Sequence, residues 1–412
     1  MRSLDVYLHG HLAGRLVLRD SGLTSFRYVD AWLARPDAVP LSLSLPLREE
    51  RFVHRDCRPF FGGVLPEGRS RELISRILGV SETNDFALLE RIGGECAGAV
   101  SLLPEGTPHG ANDEQTRVLD DEEFARTLRE LRQRPLLAGS RGLRLSLAGA
   151  QDKLPVRIVD GRVALPLGST ASTHIVKPAV PDFDGLVHNE AFCLALAAAL
   201  GLPTTAFCVG RADDIDYLVV ERFDRSVDGE RVGRIHQEDF CQALGFPPER
   251  KYQAEGGPNL RRCFELLRNV SAAPVLDLGA LVDAVAFNLA IGNNDAHGKN
   301  FALLHRTDGT TRLAPFYDLV STVAYPELAR EMAMRLGAQR IADRVAPDDL
   351  RRLSKDAGLG APLVVRRAAE LLETTLAKID GIEMPHPVSE RVAALVRDRV
   401  QTLLGRFRSG VR

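Results

Sequence analysis

Between residues 4 and 18 apolar side chains alternate with polar ones around Gly10 and Gly14 (Val6, Leu8, Leu12, Leu16, Leu18). A period of two with glycines at the reversal predicts a β-hairpin. Further strand-like pieces follow at residues 25–29 and 41–47, and helical periodicity covers residues 69–78 and 84–91. A glycine-rich turn at 93–98 leads into a strand-like run at 99–103, completing a small α+β unit. The stretch 104–112, rich in Pro, Gly and polar residues, predicts a domain boundary.

Beyond that boundary the apolar spacing of Phe124, Leu128 and Leu131 predicts an amphipathic helix over 120–132. Strands are expected at 143–147, 154–159, 163–165 and 174–177, then a helix at 189–200 and strands near 205–209 and 217–222. From about residue 238 the pattern is nearly all helical, with segments near 262–269, 277–291, 347–356, 362–379 and 388–408. The expected domains are therefore 1–110, 111–237 and 238–412. A β-rich part followed by a helical part has the order of a two-lobed kinase, although order alone does not specify function.

Composition narrows this only a little. The 412 residues are 45% hydrophobic and 26% charged, as in an ordinary globular protein. A formal charge of −2 gives no global basic field for nucleic acid or acidic membranes. The six cysteines form no C-x-x-C pair and no zinc-like spacing with histidine, so they read as buried or partly buried thiols of a reducing cytosol. The opening residues lack a signal-like apolar core, and the apolar run 191–202 is too short to span a bilayer. A soluble, cytoplasmic protein is expected.

The sharpest chemical signal is IGNNDAHGKN at 291–300. A long apolar helix ends at Gly292 and a polar cluster follows at once. Asp295 and Asn300 have the interval of Asp and Asn in the H-R-D-x-x-x-x-N loop of protein kinases. There one carboxylate orients the attacking hydroxyl and accepts its proton, while an amide oxygen nearby holds a metal. Strand-like residues 301–304 lead through a turn to Phe316-Tyr317-Asp318, where Asp318 would be the second metal ligand. Taken singly, Asn293, Asn294 and Asp295 could merely turn a helix end. His297, Lys299, Asn300 and Asp318 in sequence favour the site. No further His or carboxylate cluster lies nearby to make Asp295 and His297 a transition-metal pair.

Lys177 ends the apolar strand of STHIVKP (172–178), where a kinase places its phosphate-bridging lysine, and Glu190 opens a helix downstream. LRLSLAGAQDK (143–153) contains no G-x-G-x-x-G. Its small-residue turn Ala148-Gly149-Ala150, flanked by Ser146 and Lys153, could still turn backbone N–H groups toward phosphate. VVERFD (219–224) closes a strand before a polar loop, a fitting place for a hinge that hydrogen-bonds adenine.

These segments, together with HNEAFCLALAAALGL (188–202), HQEDFCQALGFPPERKYQAEGGP (236–258), GNNDAHGKNF (292–301) and LAPFYDL (313–319), resemble HipA-family serine/threonine kinases in residues and in order. FFGGVLPE (60–67) and GGECAG (93–98) resemble the family's extra N-terminal subdomain. The resemblance covers essentially the whole chain and loosens after about residue 325. It implies an α+β, two-lobed protein-kinase-like (phosphoinositide-kinase-like) fold, with an extra N-terminal α+β subdomain and an all-helical C-terminal lobe.

For the site, the resemblance implies Asp295 as catalytic base with His297 near the phosphates, and Asn300 and Asp318 as Mg²⁺ ligands. ATP contacts would come from Ala148, Gly149, Ala150, Gln151, Asp152, Lys153, Lys177, Glu221, Phe223, Gln237 and Tyr317. Ser146 resembles a self-phosphorylated serine whose modification silences the kinase. The implied partners are a HipB-like helix-turn-helix antitoxin, operator DNA through that antitoxin, and a protein substrate of the aminoacyl-tRNA synthetase class. A nucleotide- and antitoxin-binding co-repressor without turnover is the alternative, and would be signalled by loss of a lysine, base or metal aspartate. A lipid or small-molecule kinase is a further alternative; no basic membrane-facing run supports it. Basic residues gather near the C-terminus (Arg391, Arg397, Arg399, Arg406, Arg408, Arg412), as a solvated helix face or a patch for DNA or antitoxin.

Overall fold

The computed structural model describes residues 2–110, 115–229 and 231–409. Arg412 and the last two residues of the 104–112 boundary lie outside the described residues. The chain divides into two compact units, one of Met1–Pro178, Gly210–Pro248 and Leu304–Gly309, the other of Ala179–Val209, Glu249–Leu303 and Thr310–Arg412.

In the first unit the expected hairpin is Arg2–Leu8 with His11–Leu18. It sits in an antiparallel sheet ordered Phe52–Val53, Thr24–Tyr28, His11–Leu18, Arg2–Leu8, Val100–Pro104. Alternation puts Leu4, Val6, Leu8 and Leu16 into the core. A Cβ on Gly14 would lie 2.4 Å from the Phe26 ring, so only glycine admits that ring. Residues 41–47 are not a strand. Leu41 and Leu45 are buried, but the backbone there bonds to side chains: Leu41 N–H donates to Tyr28 Oη (2.7 Å) and Leu43 N–H to Glu238 (3.0 Å). The helix His54–Gly63, which sequence periodicity did not reveal, packs Phe61 against Phe26 (5.3 Å between centroids).

The second sheet of this unit places Ile215–Glu221, His174–Pro178, Leu154–Val159, Arg162–Pro166 and Thr116–Val118 side by side in that order. The amphipathic helix Asp121–Leu131 starts in a capping box formed by Asp120 and Glu123 and buries Phe124, Leu128 and Leu131. Residues 143–147 are not a strand either. Only Leu145 bridges, to Glu95, and Ser146 N–H donates to Glu95 O (2.8 Å).

The second unit is dominated by the helices Leu186–Ala199, Leu260–Val270, Pro274–Ile291, Pro347–Ala357, Ala361–Lys378 and Pro387–Ser409. It is not all-helical as expected: it also contains Thr311–Leu313 and the hairpin Glu331–Leu336 with Gln339–Ile341. The central helix Pro274–Ile291 is long and apolar enough to cross a membrane, yet most of its residues are buried among the other helices, as in a core helix. Five cysteines are buried and Cys208 is exposed, a correction to the expectation for all six. The C-terminal basic face is partly neutralised, Arg397 pairing with Asp380 and Arg399 with Asp343, while Arg391 is exposed.

Candidate active site

In the second unit the helix Pro274–Ile291 ends at Gly292, which adopts a left-handed conformation (φ 68°). This reversal points the following residues away from the helix axis. Asn293 closes it, its N–H bonding Asn288 O (2.9 Å) and its side-chain amide bonding Asn288 Oδ1 (2.9 Å). Asn294 is buried, its N–H on Thr322 Oγ1 (2.8 Å) and its carbonyl accepting from Ala333 N–H (2.7 Å). Asp295 therefore stands on a fixed polar floor. Its side chain is 53% exposed, whereas that of His297, 4.0 Å away, is 7% exposed.

The remainder of the loop is tied back to Asp295. His297 N–H donates to Asp295 O (2.7 Å), and Asn300 Nδ2 donates to the same carbonyl (3.1 Å). The Asn300 amide nitrogen is thus committed, which leaves its Oδ1 as the acceptor oxygen. Tyr252 Oη donates to Asp295 Oδ1 at 2.8 Å, and its ring meets His297 edge-on at 5.2 Å. Tyr317 Oη donates to Lys299 O (2.7 Å), fixing the next residue, Asp318, beside the loop. Asp318 is half-buried and holds φ 53°, and its carbonyl accepts from Asn293 Nδ2 (3.4 Å). A non-glycine residue at positive φ is uncommon, and Asp is among those that tolerate it. Glu190 is buried in the helix Leu186–Ala199.

In the first unit Lys177 is buried on His174–Pro178 and lies opposite Leu218 of the neighbouring strand. The register Leu154↔Val176 places Lys153 and Lys177 opposite each other one step further along, so two cations share one end of the sheet. Lys153 Nζ donates to Ala148 O (2.8 Å) and closes the Ala148–Lys153 turn. Gly149 there has φ 104°, and a Cβ on it would lie 2.6 Å from Lys153 Nζ. Gln151 and Asp152 are half-buried, with Asp152 Oδ1 accepting from Ser70 Oγ (3.3 Å). Ser146 is fully buried and donates to Val64 O (2.9 Å).

Glu221 is exposed at the end of Ile215–Glu221, Phe223 is half-buried, and Gln237 is half-buried against Gly98. Between and behind them lies a cluster of buried charges. Glu95 Oε1 accepts from Arg222 (3.2 Å), Arg225 (2.8 Å), and Ser172 N–H (3.0 Å), and Arg234 pairs with its other oxygen. Asp224 accepts from Arg222 (2.7 Å) and from Gly98 N–H (2.6 Å). Burial alone would raise both carboxyls. The surrounding arginines reverse this, holding Glu95 at about 2 and Asp224 well below the usual carboxylate range.

The family model of the HipA-like C-terminal domain matches residues 145–381, and that of the HipA N-terminal domain matches residues 4–103. The chain belongs to the HipA family. A putative kinase of Sinorhizobium fredii is 50% identical over 380 residues, covering 91% of this chain and 90% of that relative. The serine/threonine-protein kinase toxin HipA of Shewanella oneidensis is 30% identical over 420 residues, covering 98% of this chain and 95% of the relative. The solved structure of Shewanella oneidensis HipA with HipB and operator DNA superposes with a TM-score of 0.87 at 28% identity, over 99% of both chains. The α+β, kinase-like fold expected from the sequence is that of this HipA-family chain.

The structure gathers Asp295, His297, Asn300 and Tyr317 into one hydrogen-bonded loop system with Asp318. Within the first unit it brings Lys153 and Lys177 to one strand end. Sequence reasoning missed Tyr252, Asn294 and Glu95 as parts of these arrangements. Tyr252 lies in the quoted segment 236–258, but only folding brings it to Asp295, 43 residues away. The glycines flanking Glu95 were the one available sign that its backbone is closely packed: a Cβ on Gly94 would lie 2.8 Å from Gly168 O.

Proposed function

We propose that this HipA-family chain is a Mg·ATP-dependent serine/threonine protein kinase acting as the toxin of a toxin–antitoxin pair. The observation that carries the reading is Asp295, a solvent-accessible carboxylate on a buried floor of Asn293, Asn294 and His297. Such a group is preorganised to receive an acceptor hydroxyl. Asp295 takes the hydroxyl proton as the acceptor oxygen bonds to the γ-phosphorus, and the bond to the β-phosphate oxygen breaks to release ADP.

Amide and carboxylate oxygens suit a hard cation, so Asn300 Oδ1 and the Asp318 carboxylate fit Mg²⁺, which would neutralise phosphate charge there. In the first unit Lys153, Lys177 and the 148–152 turn hold the phosphates, and in the second His297 and Tyr317 belong to the catalytic loop system. Glu221, Phe223 and Gln237 line the adenine end, with the buried arginine cluster keeping the hinge rigid. In this division residues 111–237 form the nucleotide-binding lobe and 238–412 the catalytic lobe. Ser146 is the self-phosphorylation site. The partners are a HipB-like antitoxin, operator DNA through it, and an aminoacyl-tRNA synthetase as acceptor, all in the cytoplasm.

Asp295→Asn and Asp318→Asn test the assignment. Each should lower phosphoryl transfer about 10²- to 10⁴-fold while circular dichroism stays unchanged. Transfer near the wild-type rate in either variant removes the role given to that residue. ATP binding by the wild type without transfer to any acceptor would favour the co-repressor without turnover.

A further inference from the structure

The catalytic carboxylate is already engaged by a hydroxyl of the protein itself. Tyr252 Oη donates to Asp295 Oδ1 at 2.8 Å. A general base must lie about 2.6–3.2 Å from the oxygen whose proton it takes. The phenol of Tyr252 therefore stands at Oδ1, one of the two carboxylate oxygens that an acceptor hydroxyl can use.

Its chain segment lies at the surface and is held there by a few contacts. Tyr252 lies between the short 3₁₀ turns Pro248–Arg250 and Gln253–Glu255, and Ala254, Glu255 and Gly256 are exposed. The fold-back depends on close approach: a Cβ on Gly257 would lie 2.3 Å from Arg250 O, and Gly257 N–H donates to Tyr252 O (2.9 Å). The side chain of Gln253 anchors the segment, accepting from Arg335 N–H (2.8 Å). Behind the phenol the ring rests edge-on against His297 at 5.2 Å, so removing the hydroxyl leaves the aromatic packing intact.

We propose that Tyr252 occupies the acceptor position on Asp295, so that a substrate hydroxyl must displace its phenol before phosphoryl transfer, and water is kept from that position. The proposal rests on Asp295 being the base. Its physical logic is competition. Water bound at Asp295 would attack the γ-phosphorus, pass its proton to the carboxylate and yield ADP and inorganic phosphate. The phenol, attached to the chain and already hydrogen-bonded, keeps water from Asp295 Oδ1 without itself being phosphorylated. An acceptor presented by a docked polypeptide has enough further contacts to displace it. Tyr252 is on this account a specificity-determining residue that acts through Asp295.

The test uses the full chain carrying Ser146→Ala, which prevents self-phosphorylation at that site, with and without Tyr252→Phe. The acceptor probe is a synthetic peptide of residues 141–153, and phosphate release from Mg·ATP is measured without peptide. Loss of a hydrogen bond to a charged group corresponds to about a tenfold change. Tyr252→Phe should raise peptide-independent phosphate release about tenfold and lower the peptide KM by a similar factor, with kcat within about twofold. Gln253→Ala, which loosens the segment without touching Asp295, should shift both quantities the same way. Unchanged phosphate release, a reduced kcat, or phosphate found on Tyr252 would overturn the proposal. No transfer from the parent chain to peptide or water would instead remove the kinase reading, and this inference with it.

Discussion

Glu95 and Arg222, 127 residues apart in the chain, meet at 3.2 Å with neither side chain reaching water. Arg222 lies between Glu221 and Phe223, and Glu95 belongs to the 93–98 turn that also bonds the Ser146 backbone. One residue thus joins the proposed hinge, through its carboxylate, to the segment proposed to be self-phosphorylated, through its backbone carbonyl. Removing one partner of a buried pair leaves the other charge uncompensated, which costs about 3–5 kcal/mol. Glu95→Ala should lose that much in denaturant unfolding of the transition that includes this unit, and Glu95→Gln somewhat less. A loss under about 1 kcal/mol would mean the cluster contributes little.

Acid should weaken the first unit, in two windows. Burial, with His305 nearby, pushes His236 down to about 3 from an ordinary 6.5, so the folded protein keeps it neutral while the unfolded chain takes up a proton below 6.5. Its contribution is complete above 6.5 and is lost as pH falls toward 3. Glu95, depressed to about 2 from 4.5, contributes fully above 4.5 and loses its contribution as pH falls toward 2. Each group contributes a slope of at most about 1.4 kcal/mol per pH unit. Denaturation midpoints should fall between pH 7 and 5, and His236→Asn should flatten that part of the curve. A midpoint that rises on acidification from pH 7 to 5 would contradict this.

Gly292→Ala probes how the loop is aimed. The left-handed conformation alone costs an L-residue about 1–2 kcal/mol. The new Cβ would also lie 2.5 Å from Val323 Cγ2 and 2.9 Å from Arg399 Nε. The variant should melt earlier and transfer phosphate more slowly, since Asn293 to Asp295 must shift with the reversal. A calorimetric scan beside a rate assay checks both. Wild-type values in each would show that the turn does not aim Asp295.

Ser146 cannot carry a phosphate where it now lies. It has no exposed surface and its hydroxyl is bonded to Val64 O. A buried dianion there would be uncompensated, so the segment must leave its seat. Ser146→Asp should make residues 143–153 susceptible to limited proteolysis and weaken ATP binding, whereas Ser146→Ala should leave both near wild type. Equal protection in the two variants would argue against displacement.

Much of this was legible in the sequence because the signals are local. Alternation gave the hairpin Arg2–Leu8 with His11–Leu18. The spacing of Phe124, Leu128 and Leu131 marked the helix Asp121–Leu131, and the polar cluster after Gly292 marked the loop. Residues 143–147 alternate Leu, Arg, Leu, Ser, Leu and still form no strand, because Glu95 takes the backbone of Ser146. The helix His54–Gly63 was hidden because it carries Pro59 inside and ends in two glycines, all poor helix formers. Those glycines are there for packing: a Cβ on Gly63 would lie 2.7 Å from the Gln242 side chain. The Tyr252 contact has no local signature at all.

The central claim is that Asp295 is the base of a kinase that also modifies Ser146. Intact-mass spectrometry of the purified chain after incubation with Mg·ATP, beside Asp295→Asn, tests it most directly. The account predicts a gain of one phosphate that maps to Ser146 and is absent from the variant. An equal gain in both proteins, or no gain in the wild type under conditions where ATP binds, would contradict it.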